Sequence, residues 1–232
     1  MVSADSLAGP SVAMIFVFRF TRPHYRRLRR SYPPPVPLPL AILPLKPFHR
    51  AKERLDIRPE IRAVLAREIA TVVASACTGA GLQLAVVTSD DGVAAWATQR
   101  GVQVIVDPGG GLDAAVGAGV GAAGAAGLPW LVVHGDLPLL REEDLAGIPE
   151  AVAAGVTVLA PSCDGGTKLL GSTGPLALHY GPGSFVRHLA AAADRPRLVV
   201  VRTGTAVEVD TFADLHAAAR LPGGAWLDRF LS

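Results

Sequence analysis

The sequence holds only two cysteines, Cys77 and Cys163, in 232 residues. Two thiols without metal-type spacing exclude a disulfide framework and a cysteine-based metal site, and they suit a reducing compartment, the cytoplasm. Both are expected to behave as small buried hydrophobes. No G-x-x-x-x-G-K-[ST] run occurs, so a P-loop is excluded. Internal repeats are absent too. Charged residues make up only 18% of the chain against 50% apolar ones, which excludes a disordered protein and suits a sheet buried on both faces. No apolar stretch reaches the ~20 residues of a membrane span, because Gly, Pro or charge interrupts each one. The apolar run at residues 12–18 is too short, and its arginines follow rather than precede it, so it is not an export signal.

The formal net charge of +2 conceals an asymmetry. Residues 1–37 contain six of the 22 basic residues (Arg19, Arg22, Arg26, Arg27, Arg29 and Arg30) but one of the 20 acidic ones, Asp5. Residues 38–232 therefore carry 16 basic against 19 acidic side chains, a formal charge of −3, which argues against nucleic acid as a partner. With the proline run at 32–37, residues 1–37 read as a disordered extension or an over-long start, a polybasic arm being the alternative. Residues 38–232 read as a single domain.

From Leu38 onward, short apolar runs alternate with helical periodicity, the mark of βαβ units and a mostly parallel sheet flanked by helices. Strands are expected at 40–45, 82–87, 102–106, 130–134, 156–160 and 198–201. Helices are expected from about Glu60 to Gly79, at 91–100, 112–126, 141–153 and 184–193, and from Thr211. The first presents Ile61, Leu65, Ile69, Val72, Val73 and Ala76 on one stripe. The Gly/Ala-rich helix at 112–126 can approach its neighbours closely.

In such a sheet, ligands sit beyond the carboxyl ends of the strands, so the loops there are where chemistry is expected. The loop Lys46-Pro47-Phe48-His49-Arg50-Ala51-Lys52-Glu53-Arg54-Leu55 follows the first strand, and its cations can hold a polyphosphate. His134-Gly135-Asp136-Leu137-Pro138 delivers a carboxylate at a strand end, ahead of the expected helix start near Arg141, and oxygen ligands of this kind suit magnesium. In Val207-Glu208-Val209-Asp210-Thr211, strand alternation points Glu208 and Asp210 to one side, where two like charges invite a cation; Asp210 as a helix cap is the alternative. The glycine-rich segments 161–168 and 180–185 offer Thr167 and Ser184, the latter at a helix start that suits a carboxylate or phosphate.

In order, these motifs read Lys-x5-Lys-x-Arg-Leu, Gly-Asp-Leu-Pro, Gly-Gly-Thr, Tyr-Gly-x-Gly-Ser-x3-His and acidic-x-Asp-Thr-x2-Asp-Leu. The combination resembles the 2-phospholactate guanylyltransferase family, including its phosphoenolpyruvate-using members, from about Ile42 to Ala219. The resemblance implies an α/β Rossmann-like nucleotidyltransferase (GT-A-like) fold and transfer of GMP from GTP, with Mg2+, to phosphoenolpyruvate or 2-phospholactate in coenzyme F-420 biosynthesis. It implies metal binding by Asp136 and Glu208, with Asp210 open as the second ligand instead. It also implies acceptor binding by Thr167, Gly181 and Ser184, and triphosphate binding by Lys46, Lys52 and Arg54. Catalysis would rest on Asp136, Lys46 and Lys52. The chain departs from the family pattern at Glu208, where aspartate is usual, at Asp113, where asparagine is common, and at Glu53, where Ser or Thr is frequent. Another nucleotidyltransferase with a sugar-phosphate or molybdopterin acceptor, a non-catalytic nucleotide-binding module, and a homodimer are all left open.

Overall fold

The computed structural model describes residues 36–231. The arginine-rich segment, the run at 12–18 and most of the proline run lie outside the described residues. Nine segments open the fold in βα alternation: β1 (Leu40–Pro44), α1 (Pro59–Gly79), β2 (Leu84–Thr88), α2 (Asp91–Thr98), β3 (Gln103–Val106), α3 (Leu112–Ala125), β4 (Trp130–Val133), α4 (Glu142–Leu145) and α5 (Ile148–Ala153). There follow β5 (Thr157–Pro161), β6 (Thr167–Ser172), α6 (Ser184–Ala191), β7 (Arg197–Val199), α7 (Thr203–Ala206) and α8 (Phe212–Ala219).

The strands form one seven-stranded sheet in the order β3-β2-β1-β4-β6-β5-β7. All neighbouring pairs are parallel except those of β6, which runs antiparallel to both β4 and β5. Strand order reverses direction between β1 and β4, and a crevice at such a switch point is where α/β sheets bind ligands. Alternation along β1 explains the two layers: Ala41 and Leu43 enter the apolar cluster that includes Val73, Cys77 and Trp96, while Leu40 and Ile42 enter the opposite cluster with Ala115 and Val116. Close approach of α3 to the sheet depends on Gly119, where a Cβ would collide with the Ile42 side chain. A third cluster, with Leu55, Leu65, Ile69, Val209, Leu215 and Phe230, joins α1 to α8 and fixes the segment between α7 and α8.

Four expectations need correction. The helix foreseen at 141–153 is two short helices, because Gly147 turns left-handed (φ +80°) and Pro149 opens a new helix. The segment 161–168 is not all loop: from Thr167 it is β6, paired on both edges. Residues 207–209 are an extended link rather than a strand. Cys77 is buried as expected, but Cys163 is exposed. Among the described residues, no helix is long and apolar enough to cross a membrane.

Candidate active site

Asp136 emerges where the sheet stops. β4 is buried along its whole length and leads straight into His134-Gly135-Asp136. Gly135 is needed there, since a Cβ would strike Leu45. The next helix begins at Glu142 with Arg141 as its N-cap, so Asp136 caps nothing.

The second acidic segment reaches the same point from the far side. Although 207–209 pair with no strand, their extended backbone keeps the alternation: Val209 is anchored in the core, while Glu208, largely buried, and Asp210, half-exposed, point the other way. Asp210 is not a cap either. Thr211 caps α8 by accepting from the Asp214 N–H, and the Asp214 carboxylate accepts from the N–H groups of Asp210 and Thr211 at 3.1 and 2.8 Å. Carboxylate oxygens of Asp136, Glu208 and Asp210 lie within 4.8 Å of one another. One divalent cation can touch all three.

Two lysines enter this cluster. Lys168, 6% exposed, donates from Nζ to Asp136 Oδ2 at 2.7 Å and also contacts Glu208 Oε2. Lys52 Nζ lies 3.6 Å from Asp210 Oδ1 and donates to the Val209 carbonyl. Its backbone is left-handed, with φ +61°, which costs a non-glycine residue about 1 kcal/mol and marks a position held by its surroundings. Burial alone would raise the Asp136 pKa, but the ammonium charges of Lys168 and Lys52 prevail and hold it well below the usual carboxylate range. Glu208 is shifted upward by burial, against the opposing pull of Lys168. Burial would lower the Lys168 pKa, yet Asp136 and Glu208 raise it, so it stays charged.

A cavity of about 540 Å³ opens over the cluster at the switch point. Asp136 and Asp210 form part of its floor, Lys46, Arg50, Lys52 and Arg54 line one side, and Gly111 and Leu112 at the start of α3 line another. The four cations from the loop after β1 thus face the same space as the carboxylates. His134 also borders it, with Nε2 buried and without a hydrogen-bond partner among the described residues. Burial lowers its pKa to about 4, against the attraction of Asp136, so the ring is neutral at pH 7.

Thr167, Gly181 and Ser184 are brought together, Thr167 and Ser184 buried and Gly181 exposed, but not on the cavity wall. Ser184 Oγ donates to Thr167 Oγ1 at 3.1 Å, and Ser184 N–H donates to the Gly181 carbonyl at 3.0 Å. The His179 N–H donates to His188 Nε2 at 2.9 Å, which leaves the proton on Nδ1 to be donated to Thr167 Oγ1, also at 2.9 Å. With two bonds accepted, the Thr167 hydroxyl retains its own hydrogen for an acceptor. The Tyr180 N–H donates to Asp113 Oδ1 at 2.8 Å, so the departure at Asp113 ties this loop to α3.

Sequence reading missed Lys168 and His188 as site residues. A lysine opening an apolar run, Thr-Lys-Leu-Leu, carries a signal, because a buried ammonium requires a partner. The partners themselves are remote in sequence.

A phosphoenolpyruvate guanylyltransferase of Geodermatophilus obscurus is 36% identical over 192 residues, covering 81% of this chain and 86% of the relative. One from Streptomyces coelicolor is 35% identical over 196 residues, covering 79% and 91%. Among solved structures, a Desulfovibrio desulfuricans protein described as a nucleotide-diphospho-sugar transferase superposes with a TM-score of 0.66 at 16% identity, over 82% of this chain and 94% of that one. The likeness establishes the nucleotidyltransferase-type fold. The family model described as "Guanylyl transferase CofC like" matches residues 40–217. On that match and those relatives, the chain belongs to the CofC-like guanylyl transferase family.

Proposed function

We propose that this protein transfers GMP from GTP to phosphoenolpyruvate, releasing pyrophosphate, as a step of coenzyme F-420 biosynthesis in the cytoplasm. The observation that carries the reading is the convergence of Asp136, Glu208 and Asp210 within 4.8 Å, beneath a cavity rimmed by Lys46, Arg50 and Arg54. The names of the two relatives support phosphoenolpyruvate over 2-phospholactate as acceptor.

The donor set fits Mg2+. It is all oxygen, and Asp136 Oδ1 is a buried oxygen with no hydrogen-bond partner among the described residues. Asp136 and Glu208 would hold the ion, with Asp210 beside them, and when bound it would neutralise charge on the reacting phosphates. An oxygen of the acceptor phosphate attacks the α-phosphorus of GTP in line; a new P–O–P bond forms as the bond to the bridging β-oxygen breaks, and pyrophosphate leaves. The attacking phosphate is ionised at pH 7, so no general base is needed. His134, its pKa lowered by burial to about 4, is a weak proton acceptor, and both ring nitrogens of His188 are engaged in hydrogen bonds. Lys46, Lys52 and Arg54 position the triphosphate and offset the charge of the departing diphosphate. Exposed Gly181 would hold the acceptor, with Thr167 and Ser184 positioning its loop through their own hydrogen bond and the Ser184 N–H bond to the Gly181 carbonyl.

Pyrophosphate release, measured with GTP and Mg2+ against a panel of acceptors, tests the reading. Release with phosphoenolpyruvate alone is expected. Turnover only with 2-phospholactate, a sugar phosphate or a molybdopterin would replace the acceptor, and GTP binding with no turnover would remove the catalytic assignment.

A further inference from the structure

Lys168 is a buried ammonium between carboxylates that come from two separate segments, the end of β4 and the link before α8. Burying such a charge is unfavourable unless it is paired, and here the pairing is double. Backbone geometry places it deliberately. Pairing of β5 with β6 steps from Ala160↔Leu169 to Pro161↔Thr167, so Lys168 is the extra residue of a bulge. A bulge re-aims a side chain that regular pairing would direct elsewhere. The cluster then contains the carboxylates of Asp136, Glu208 and Asp210, with Asp164 beside Glu208, against two ammoniums, Lys168 and Lys52, for a formal charge of −2.

We propose that Lys168 is an internal cation standing in for the divalent ion between Asp136 and Glu208 in the free protein, so that metal binds weakly until an anionic ligand accompanies it. The inference rests on the assignment of Asp136 and Glu208 as metal ligands. A dication entering beside the Lys168 ammonium meets a like charge and competes for the same two oxygens. It also takes the formal charge of the cluster only to zero while leaving the ion's oxygen shell incomplete, and phosphate oxygens of a nucleotide or acceptor can complete it. The metal therefore arrives with the phosphorylated substrate and does not wait in the site. Until then, Lys168 holds Asp136 and Glu208 at a separation that mutual repulsion would otherwise widen.

The test is titration of the metal-free full-length protein with Mn2+ alone, following free Mn2+ by electron paramagnetic resonance. The wild type should bind with a Kd above about 100 µM, in the range of weak oxygen sites. Lys168→Met should bind at least tenfold more tightly, and Mn2+ should raise its thermal midpoint by more than that of the wild type. Equal affinities in the wild type and a folded Lys168→Met protein would overturn the proposal. A wild-type Kd below about 100 µM overturns it even where Lys168→Met does not fold. Adding Asp136→Asn to Lys168→Met separates the two claims. The double variant should lose the gained affinity; if it keeps it, Asp136 is not the ligand and the underlying assignment fails. If wild-type binding depends on Asp136 but Lys168→Met changes nothing, only the Lys168 proposal falls.

Discussion

Thr167 and Lys168 are consecutive, buried residues of β6, and they serve polar networks of opposite kind. Lys168 joins a charged cluster in which carboxylates outnumber the two ammoniums. Thr167 joins a neutral one, where a single imidazole tautomer links the His179 backbone, Thr167 and Ser184. The difference shows how one strand end can carry two polar networks of unlike charge, which the proposed function assigns to a cation with phosphates and to the acceptor. The first is held by charge balance, and the second by the direction of hydrogen bonds.

The largest contrast should come from substitution. Glu208→Gln removes a charge from the first network with little change of shape, and pyrophosphate release should fall by roughly a hundredfold to a thousandfold, the scale for losing one group that stabilises developing charge. Circular dichroism should stay unchanged. If Asp210→Asn has the larger effect, Asp210 is the second metal ligand.

Acid should separate the networks next. Burial lowers the His188 pKa to about 4 from the usual 6.5, with the charge of His179 adding to the effect. Burial does the same to His134. The folded-state values are depressed for a base, so the unfolded chain binds more protons between pH 6.5 and 4. Stability is full above that window and falls through it, by about 3 kcal/mol for each histidine. Asp136, whose folded pKa lies below the carboxylate range, contributes stability that is lost only below about pH 4. Denaturant unfolding between pH 7 and 4 should show the histidine loss, reduced in His188→Gln. A flat profile over that range would break the distinction.

A smaller effect belongs to Thr167→Val. It leaves the His188 Nδ1–H and the Ser184 hydroxyl without their buried acceptor, which should cost about 2 kcal/mol of stability, read from urea unfolding. Its effect on pyrophosphate release should appear as a raised KM for phosphoenolpyruvate. A drop in kcat as large as that of Glu208→Gln would mean that the two networks act as one.

Much of the fold was legible because its signals are local. β1, β2 and β4 are apolar runs buried on both faces, and α1 carries a stripe of Leu65, Ile69 and Val73 at helical spacing. β6 escaped detection because it contains Gly171 and begins at a bulge within a glycine-rich stretch. Gly171 is there for packing: a Cβ would press on Val152 and Leu131. The 207–211 segment misled in the other direction. Its alternation is real, but it reflects the anchoring of Val209 beneath α8 and not sheet pairing. In the site, Asp136 could be read from its place at a strand end. Lys168 and His188 could not, because their roles arise from partners 20 to 40 residues away, Asp136, Glu208 and Thr167.

The central claim is that Asp136 directs a divalent ion to the phosphates. It is tested most directly by Asp136→Asn, assayed for pyrophosphate release with GTP, phosphoenolpyruvate and Mg2+, with circular dichroism run on the same preparation. A folded protein with no measurable turnover is expected. A folded Asp136→Asn protein that releases pyrophosphate at the wild-type rate would contradict it.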